Sequence, residues 1–348
     1  MNKKHVNGRL SMQLLAASAL LSMWISNTAT TLMLLPVALA VLERARDPKL
    51  AVPLLLGIAY AASIGGMGTP IGTPPNVIFL QVYAENTGLE PSFTQWMMWA
   101  VPIVLVLVPL TALWLTRGLS EGGVTEMAET GAWRPAERRV LIVFALTALA
   151  WMTLKEPAGG WSGWLDLPNA NYAAVALTAV VILFLLPDGE GQGGRLLDWE
   201  SASNIHWGVL LLFAGGIAIA KAFVVTGISQ ALGAQLAALT ALPVILIIAT
   251  ICLTVTFLTE ITSNTATTTL LMPILAAAAI GADIELALLM VPAALSASCA
   301  FMMPVATAPN AIVFGTGRIS VKRMSREGIG LNLIGAMTIT LFSYWLLT

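Results

Sequence analysis

Nine long apolar segments occupy most of this 348-residue chain and constrain its fold more than any other feature. A helix needs about 20 apolar residues to cross the hydrocarbon core of a bilayer, and the segments approach or exceed that length. Only 10% of the residues are charged, which is too few to coat a soluble globule of this size. We therefore predict an all-α polytopic membrane protein. The segments lie at residues 11–42, 51–83, 98–116, 139–155, 171–187, 205–225, 243–280, 285–316 and 328–347.

Charge and reactive residues exclude several classes of protein. The formal net charge is −1, so bulk electrostatics select no partner, and the apolar composition excludes a nucleic-acid binder. Cys252 and Cys299 lie in apolar segments and imply no disulfide framework. The sequence has only two histidines, neither cysteine has one nearby, and His206 and Glu260 form no metal-ligand spacing. The sequence therefore predicts neither an enzyme nor an organic cofactor.

Two of the runs, 11–42 and 243–280, are too long for one crossing and carry a polar Ser-Asn-Thr cluster within them. We predict that each forms a re-entrant helical hairpin, which enters and leaves the membrane on one side. Twelve of the 17 lysines and arginines then fall in four loops of a single face, together with the basic N-terminal tail. Lys155 and Lys221 are left on the opposite face. The positive-inside rule makes the basic face cytoplasmic, so the first hairpin opens inward and the second outward.

Two other runs, 51–83 and 285–316, are interrupted by glycine and proline. The sequence GGMGTPIGTPP occupies residues 65–75, and a second interruption lies around residues 304–310. Such breaks free backbone polar groups, which are tolerated at membrane depth only where protein or a wet cavity satisfies them. Both runs are predicted to be broken helices.

The hairpin and the broken helix each occur twice, in the same order. The sequence ISNTATTLMLLP at 25–36 matches TSNTATTTLLMP at 262–273 at 8 of 12 positions. Downstream, GTPPNVIFL at 72–80 matches ATAPNAIVF at 306–314 at 4 of 9 positions. Because the two hairpins open to opposite sides, the halves are predicted to form the inverted repeat of a secondary transporter.

The two predicted repeats differ in length. The second, at 139–348, is complete, with three helices before hairpin 243–280, then broken helix 285–316 and helix 328–347. The first, at 1–117, holds only hairpin 11–42, broken helix 51–83 and helix 98–116, and a cytoplasmic linker follows at 118–138. By comparison of the halves, roughly 100 residues with three spans are expected to be missing before Met1. A naturally shorter protein is the alternative.

The two Ser-Asn-Thr tips, the Gly-Thr-Pro-Pro-Asn sequence after the first and the Ala-Thr-Ala-Pro-Asn sequence after the second resemble the divalent anion:sodium symporter family. Residues 207–223, WGVLLLFAGGIAIAKAF, are also similar to the family's segment before its second hairpin. The resemblance covers essentially the whole chain. It implies a dimeric elevator-type transporter of di- or tricarboxylates, or of sulfate, and it implies that this chain lacks the family's first helices.

The residue types in these motifs suit sodium-coupled anion binding. No lysine or arginine lies in either hairpin or in the broken helix that follows it, so a positive field must come from helix N-termini and bound Na⁺. Sodium prefers oxygen ligands, which hydroxyls, amides and free carbonyls supply. The resemblance assigns the first sodium site to Ser22, Ser26, Asn27 and the backbone of Gly72. It assigns the second to Thr259, Thr262, Asn264 and the backbone of Ala306.

The resemblance also places the substrate carboxylates between the two tips. Asn27, Thr28 and Thr73 would contact one side of the substrate, and Asn264, Thr265 and the region of Ala308 the other. Thr73 stands where some family members have serine, and Ala308 where many have proline. These departures leave the exact substrate open within the class.

Glu260 is the carboxylate within the second hairpin, and its counterpart in the first repeat is Met23. An intramembrane carboxylate is by default a candidate for function. We favour a structural interpretation, in which Glu260 orients the hairpin tip through backbone hydrogen bonds.

The predicted function is sodium-coupled transport of dicarboxylates of the succinate, malate and fumarate class across a bacterial inner membrane. The expected partners are the anion, the bilayer and a second copy in the intact protein, with no nucleic acid. A sodium-independent dicarboxylate exchanger, or a sulfate or citrate transporter of the same family, is an alternative, and replacing Na⁺ by K⁺ in a counterflow assay tests sodium coupling. An ion channel is the alternative from another class, and an ohmic single-channel current would favour it.

Overall fold

The computed structural model describes residues 6–44, 48–117, 119, 132–167, 169–191, 193–204, 207–228, 230–231 and 242–348. These residues are mostly helical, and none of them forms a strand, so the prediction of an all-α protein is confirmed. Most of the predicted linker 118–138 lies outside them. The helices are α1 (Val6–Ser22), α2 (Asn27–Arg44), α3 (Ala51–Gly66), α4 (Pro74–Thr87), α5 (Phe93–Thr116), α6 (Pro135–Met152), α7 (Gly160–Trp164), α8 (Tyr172–Leu185), α9 (Trp199–Ser203), α10 (Trp207–Val225), α11 (Val244–Leu258), α12 (Asn264–Gly281), α13 (Leu286–Ser296), α14 (Ala308–Phe314) and α15 (Val321–Leu347).

Each of the four long runs is divided into two helices where its polar or glycine-rich sequence lies. Run 11–42 is covered by α1 and α2, and run 243–280 by α11 and α12, with the Ser-Asn-Thr cluster at each turn. Run 51–83 is divided into α3 and α4, and run 285–316 into α13 and α14. Helix α4 begins with Pro74 and α14 has Pro309 at its second position, where proline is tolerated because the first helical N–H groups have no intrahelical acceptor.

Three of the described helices are long and apolar enough to cross a membrane, namely α5, α12 and α15. Helices α3, α8, α11 and α13 and residues 10–22 of α1 are apolar but shorter. Large apolar side chains are exposed along several of these helices, among them Leu105 and Leu113 on α5 and Leu333 on α15. Such exposure suits contact with lipid rather than water.

Backbone contacts divide the chain into two compact units. The smaller contains the described residues within Ser92–Gln95 and Met127–Leu211. In it α6 packs against α8, and the backbone N–H of Phe93 donates to the hydroxyl of Tyr172 at 2.9 Å. The larger contains the described residues within Met1–Pro91, Trp96–Glu126 and Leu212–Thr348, and it includes both Ser-Asn-Thr turns and both breaks.

Helix packing in the larger unit follows the same scheme twice. Helices α1 and α2 pack against α3, as α11 and α12 pack against α13. Helix α14 then packs against α2 and α3, as α4 packs against α12 and α13. The second segment of each broken helix therefore contacts the helix that follows the Ser-Asn-Thr turn of the other half. Trp96, Tyr60 and Phe79 are among the largest fully buried side chains of this core.

Candidate functional site

The first turn, residues 23–26, is closed by side-chain hydrogen bonds. The Ser22 hydroxyl donates to Oδ1 of Asn27 at 2.6 Å. The Ser26 hydroxyl accepts from the Ala29 N–H at 3.2 Å, which satisfies one of the free donors at the start of α2. Thr31 donates back to the Asn27 carbonyl at 2.8 Å. Asn27 is therefore held at the first position of α2 through both its side chain and its backbone.

The second turn, residues 259–263, repeats these bonds at the positions predicted by the sequence repeat. The Thr259 hydroxyl donates to Oδ1 of Asn264 at 2.8 Å. Ser263 accepts from the Ala266 N–H at 3.1 Å, and Thr268 donates to the Asn264 carbonyl at 2.8 Å. The two turns therefore hold an asparagine at a helix N-terminus in the same way.

Thr259 makes a further bond to the second break, and Thr262 is placed differently. The Thr259 hydroxyl also donates to the Ala297 carbonyl at 3.0 Å. Thr262 is exposed, and its hydroxyl is bonded to the Leu258 carbonyl at 2.9 Å and to the Thr267 hydroxyl at 2.5 Å. The structure thus joins Thr259 and Asn264 directly, whereas no such bond joins Thr262 to them.

The first break packs tightly against Asn27. A Cβ added to Gly66 would lie 2.5 Å from Oδ1 of Asn27 and 3.1 Å from the Gly72 carbonyl oxygen. One added to Gly72 would lie 2.4 Å from the Gly66 carbonyl oxygen. A Cβ at either position would force a neighbour to shift, because Cβ contacts under 3.0 Å are essentially never seen. The Asn27 and Gly72 oxygens that were assigned to the first sodium site therefore face one small space beside Gly66.

An asparagine in the first turn of the following helix fastens each break. Nδ2 of Asn76 donates to the carbonyls of Gly66 at 3.0 Å and Thr69 at 2.7 Å. In the second break, Nδ2 of Asn310 donates to the carbonyls of Ala300 at 2.9 Å and Met303 at 3.0 Å. Both asparagines are fully buried, and Oδ1 of each has no hydrogen-bond partner among the described atoms. Each side chain thus replaces some of the backbone bonds that the interruption removes.

The two halves connect turn and break by different chemistry. In the first half the Thr69 hydroxyl donates to the Met23 carbonyl. In the second half Glu260 accepts from the N–H groups of Met302 at 2.8 Å and Met303 at 2.9 Å. Asn332 of α15 donates to the same carboxylate at 2.7 Å. Glu260 therefore makes the backbone bonds that its structural interpretation requires.

The residues assigned to the substrate lie at the N-terminal ends of four helices. Asn27 and Thr28 begin α2, and Asn264 and Thr265 begin α12. Ala308 begins α14 and is exposed, whereas Thr73 precedes α4 and is buried, with 3% of its surface exposed. Helix N-termini carry partial positive charge and unpaired N–H groups, which favour anions. These four termini are therefore suited to carboxylates.

The oxygen chemistry of the two turns fits a hard monovalent cation. Among the described residues, no three His, Cys, Asp or Glu side chains come together as a metal site would require. The Glu260 carboxylate is already bonded to Met302, Met303 and Asn332. The other oxygen donors are neutral, namely the hydroxyls of Ser22 and Thr259, the amide oxygens of Asn27 and Asn264, and carbonyls of the breaks. Neutral oxygens suit Na⁺ better than metals that prefer nitrogen or sulfur.

Several residues of this region were not assigned from the sequence. Asn76 and Asn310 carried a usable signal, since they occupy equivalent positions of the second repeated motif. Ser263 is the counterpart of Ser26 in the first repeated motif, so the repeat could also have identified it. Asn332 lies far along the chain in an apolar helix, so no sequence pattern links it to Glu260.

The chain matches the family model described as citrate transporter over residues 3–291. It is similar to the sodium-dependent dicarboxylate transporter SdcS of Staphylococcus saprophyticus, with 38% identity over 362 residues, which cover 97% of this chain and 69% of that protein. The protein of the same name from Staphylococcus aureus strain USA300 is 37% identical over 356 residues, which cover 96% of this chain and 68% of that protein.

Proposed function

The chain belongs to the citrate transporter family, and on this premise we propose that it carries dicarboxylates across a membrane together with sodium. Relatives at 38% and 37% identity are named sodium-dependent dicarboxylate transporters. They confirm the predicted resemblance to the divalent anion:sodium symporters and the expectation of a transporter rather than an enzyme. The observation that carries the proposed site is the matched bonding of Asn27 by Ser22 and of Asn264 by Thr259.

We assign one sodium ion to each turn. The first ion would be held by Ser22, Ser26, Asn27 and the backbone of Gly72, and the close approach of Asn27 to the Gly66–Gly72 break supports this set. The second would be held by Thr259, Thr262, Asn264 and the backbone of Ala306. The bond from Thr259 to the Ala297 carbonyl supports the pairing of this turn with the second break.

We assign the anion to Asn27, Thr28 and Thr73 on one side and to Asn264, Thr265 and the Ala308 region on the other. Lysine and arginine are absent from both turns and both breaks, so bound sodium must supply full positive charge near the carboxylates. An anion site that is completed by cations binds its anion well only when they are present. Sodium and substrate affinities are then linked reciprocally, which is the thermodynamic basis of coupling.

The proposed architecture is an inverted repeat with two re-entrant hairpins, at 11–42 and 243–280, and an elevator-type movement. The first repeat would span 1–117, the linker 118–138 and the second repeat 139–348. The exchange of helix contacts between the halves, in which α14 packs on α2 and α4 packs on α12, supports the repeat. We assign the protein to the plasma membrane, because its relatives are bacterial, and we propose that it forms a homodimer.

Succinate counterflow into proteoliposomes tests the proposal, with binding of radiolabelled succinate to the purified chain as a second readout. Both signals should require Na⁺ and be lost when K⁺ replaces it. Malate, fumarate, citrate and sulfate serve as competitors that define the substrate class. Undiminished exchange in K⁺ would refute sodium coupling, and an ohmic single-channel current would refute a carrier.

The site assignment is tested by Asn27→Ala and Asn264→Ala. Each should abolish sodium-dependent succinate binding while leaving membrane insertion unchanged. Asn86→Ala is the matched control, because Asn86 is exposed near the end of α4 and donates only to the Val82 carbonyl, at 2.7 Å. Wild-type binding in both site variants would refute the assignment, even if wild-type transport is sodium-dependent.

A further inference from the structure

A large apolar cavity lies within the smaller unit, between α6 and α8. Its volume is about 730 Å³, which falls in the range of small-molecule pockets, roughly 300–1,000 Å³. Helix α6 lines it between Val143 and Ala150, α8 lines it between Ala174 and Ile182, and Trp161 of α7 closes one end. The cavity shares no residue with the two Ser-Asn-Thr turns or the two breaks, so the assigned transport site does not account for it.

The helical walls of this cavity are apolar or use their polar hydrogens internally. The hydroxyl of Thr147 donates to the Val143 carbonyl at 2.8 Å, and that of Thr178 donates to the Ala174 carbonyl at 2.8 Å. Nε1 of Trp161 donates to the Ala150 carbonyl at 2.9 Å. A polar occupant would lose its hydration along these walls without gaining hydrogen bonds. The length of the cavity is therefore suited to a hydrocarbon.

One end of the cavity is polar and carries a carboxylate. Asp166 and Asn169 line that end, in the segment between α7 and α8. Asp166 is exposed, and among the described residues no ion pair or side-chain hydrogen bond engages its carboxylate. A carboxylate without a partner at the mouth of an apolar cavity favours a cationic group with N–H donors. The cavity thus combines an apolar body with an anionic end.

The tryptophans around Asp166 place this end at the level of the lipid head groups. Trp161 and Trp164 precede Asp166, and Trp164 is 70% exposed, as is typical of the aromatic belts of membrane proteins. From Ala174 to Ile182 helix α8 rises about 12 Å, whereas one leaflet of the hydrocarbon core is about 15 Å thick. The cavity therefore extends from the head-group level through most of one leaflet.

We propose that this cavity holds an acyl chain of phosphatidylethanolamine, whose ammonium group contacts the Asp166 carboxylate. The ammonium offers three N–H donors to the carboxylate, as a lysine does. Phosphatidylcholine has no N–H donor, and phosphatidylglycerol brings a net negative charge that Asp166 repels. Any acyl chain would fill the apolar body, and therefore the carboxylate determines which head group is preferred. The proposal is independent of the assigned transport activity.

Native mass spectrometry of the purified full chain tests this site by titration with the three lipids, all with identical acyl chains. The chain should retain phosphatidylethanolamine about threefold better than phosphatidylcholine, because one exposed ion pair contributes little, and phosphatidylglycerol least. Asp166→Asn should remove the preference and leave the retention of phosphatidylcholine unchanged, which a loss of fold would not do. Asparagine tolerates the positive φ of 51° at this position.

Asp283→Asn is the matched control for the charge. Asp283 is exposed and also has a positive φ, of 55°, but it does not line the cavity. Its variant should keep the wild-type preference for phosphatidylethanolamine. Equal losses in Asp166→Asn and Asp283→Asn would show non-specific attraction and overturn the proposal. Equal retention of phosphatidylethanolamine and phosphatidylcholine by the wild type would also overturn it, and is the result expected if a second copy of the chain covers the cavity instead.

A second pair of variants tests the apolar body of the cavity. Ala174→Phe places a ring in the space of the acyl chain and should weaken the retention of all three lipids. Ala173→Phe is its control, because Ala173 is exposed on the same helix but does not line the cavity. Wild-type retention of phosphatidylethanolamine in Ala174→Phe, or equal losses in the two variants, would overturn the placement of the chain between α6 and α8.

Discussion

The hydroxyl of Tyr60 donates a 2.5 Å hydrogen bond to the carbonyl oxygen of Phe301, which lies 241 residues further along the chain. The two rings also pack with their centroids 4.9 Å apart. Tyr60 belongs to α3, ahead of the first break, and Phe301 lies inside the second break. The two breaks are therefore linked through one buried hydroxyl as well as through helix packing.

Tyr60→Phe removes this bond and leaves the Phe301 carbonyl buried without its donor. We expect a loss of about 1–3 kcal/mol in the free energy of unfolding, the usual penalty for an unsatisfied buried polar group. Thermal unfolding in detergent measures it. Tyr344→Phe is the control, since Tyr344 is 40% exposed and its substitution should change little. An unchanged midpoint in Tyr60→Phe would contradict the link.

Gly66→Ala should impair the first sodium site. The new Cβ would lie 2.5 Å from Oδ1 of Asn27 and 3.1 Å from the Gly72 carbonyl oxygen, so one of these oxygens must move. Succinate binding should then require about tenfold more sodium, because a displacement that costs only about 1.4 kcal/mol lowers the affinity for sodium tenfold. Gly281→Ala is the matched control, because nothing lies within 4 Å of its added Cβ. A wild-type sodium requirement in Gly66→Ala would argue against an ion beside Gly66.

Thr73 and Thr307 occupy equivalent positions before α4 and α14 but are used differently. The Thr307 hydroxyl caps α14 by accepting from the Asn310 N–H at 3.2 Å, whereas Thr73 makes no side-chain cap. Thr73→Ala should therefore weaken succinate binding more than sodium binding, with little change in stability. Thr307→Ala should instead lower stability by about 1 kcal/mol, as the loss of a helix cap does. Isothermal titration and thermal unfolding separate the two effects, and a defect of Thr73→Ala confined to sodium would contradict its placement.

Glu260→Gln should weaken the hydrogen bonds that connect the second turn to the second break. The carboxylate accepts from Met302, Met303 and Asn332, and an amide must point its NH₂ group at one of these donors. We expect a loss of about 1.5–3 kcal/mol in unfolding free energy, as for hydrogen bonds to a charged group. Glu285→Gln, at an exposed position before α13, is the control and should behave as wild type. Equal stability of the two variants would show that Glu260 does not fasten the turn.

Much of the helical layout follows from the sequence, because apolar length and glycine or proline content decide where membrane helices run and end. The turns at the Ser-Asn-Thr clusters and the breaks near Gly66 and Pro304 lie where these rules place them. The repeated motifs indicate that the two turns are equivalent to each other, and that the two breaks are as well. The bonds from Ser22 and Thr259 to the two asparagines follow from the same repeat, since a shared local sequence favours a shared local structure.

Long-range polar contacts could not be predicted in the same way. Tyr60 bonds to Phe301 and Glu260 to Asn332 because tertiary packing brings distant helices together. No periodicity in one segment encodes which polar side chain of another segment will face it. The different connections of the two halves, by Thr69 in one and Glu260 in the other, also break the symmetry on which the prediction depended.

The asparagines in the first turns of α4 and α14 provide the sharpest test of how the interrupted helices are held. Nδ2 of Asn76 faces the carbonyls of Gly66, Met67 and Thr69, the longest of these contacts being 3.4 Å. Asn76→Asp keeps the shape of the side chain but replaces the donor by an oxygen, which these carbonyls repel. We expect the loss of at least about 3 kcal/mol in unfolding free energy, since a buried charge would be left without a donor. Thermal unfolding and succinate binding should both report this loss.

Asn310→Asp should have a comparable effect, because Asn310 donates to two carbonyls of the second break. Asn86→Asp is the control with the same chemical change at an exposed position, where water solvates the new carboxylate. It should unfold and bind succinate as the wild type does. A mild phenotype in Asn76→Asp together with a severe one in Asn310→Asp would mean that only the second break depends on its asparagine. Such a result would contradict the equivalence of the two breaks.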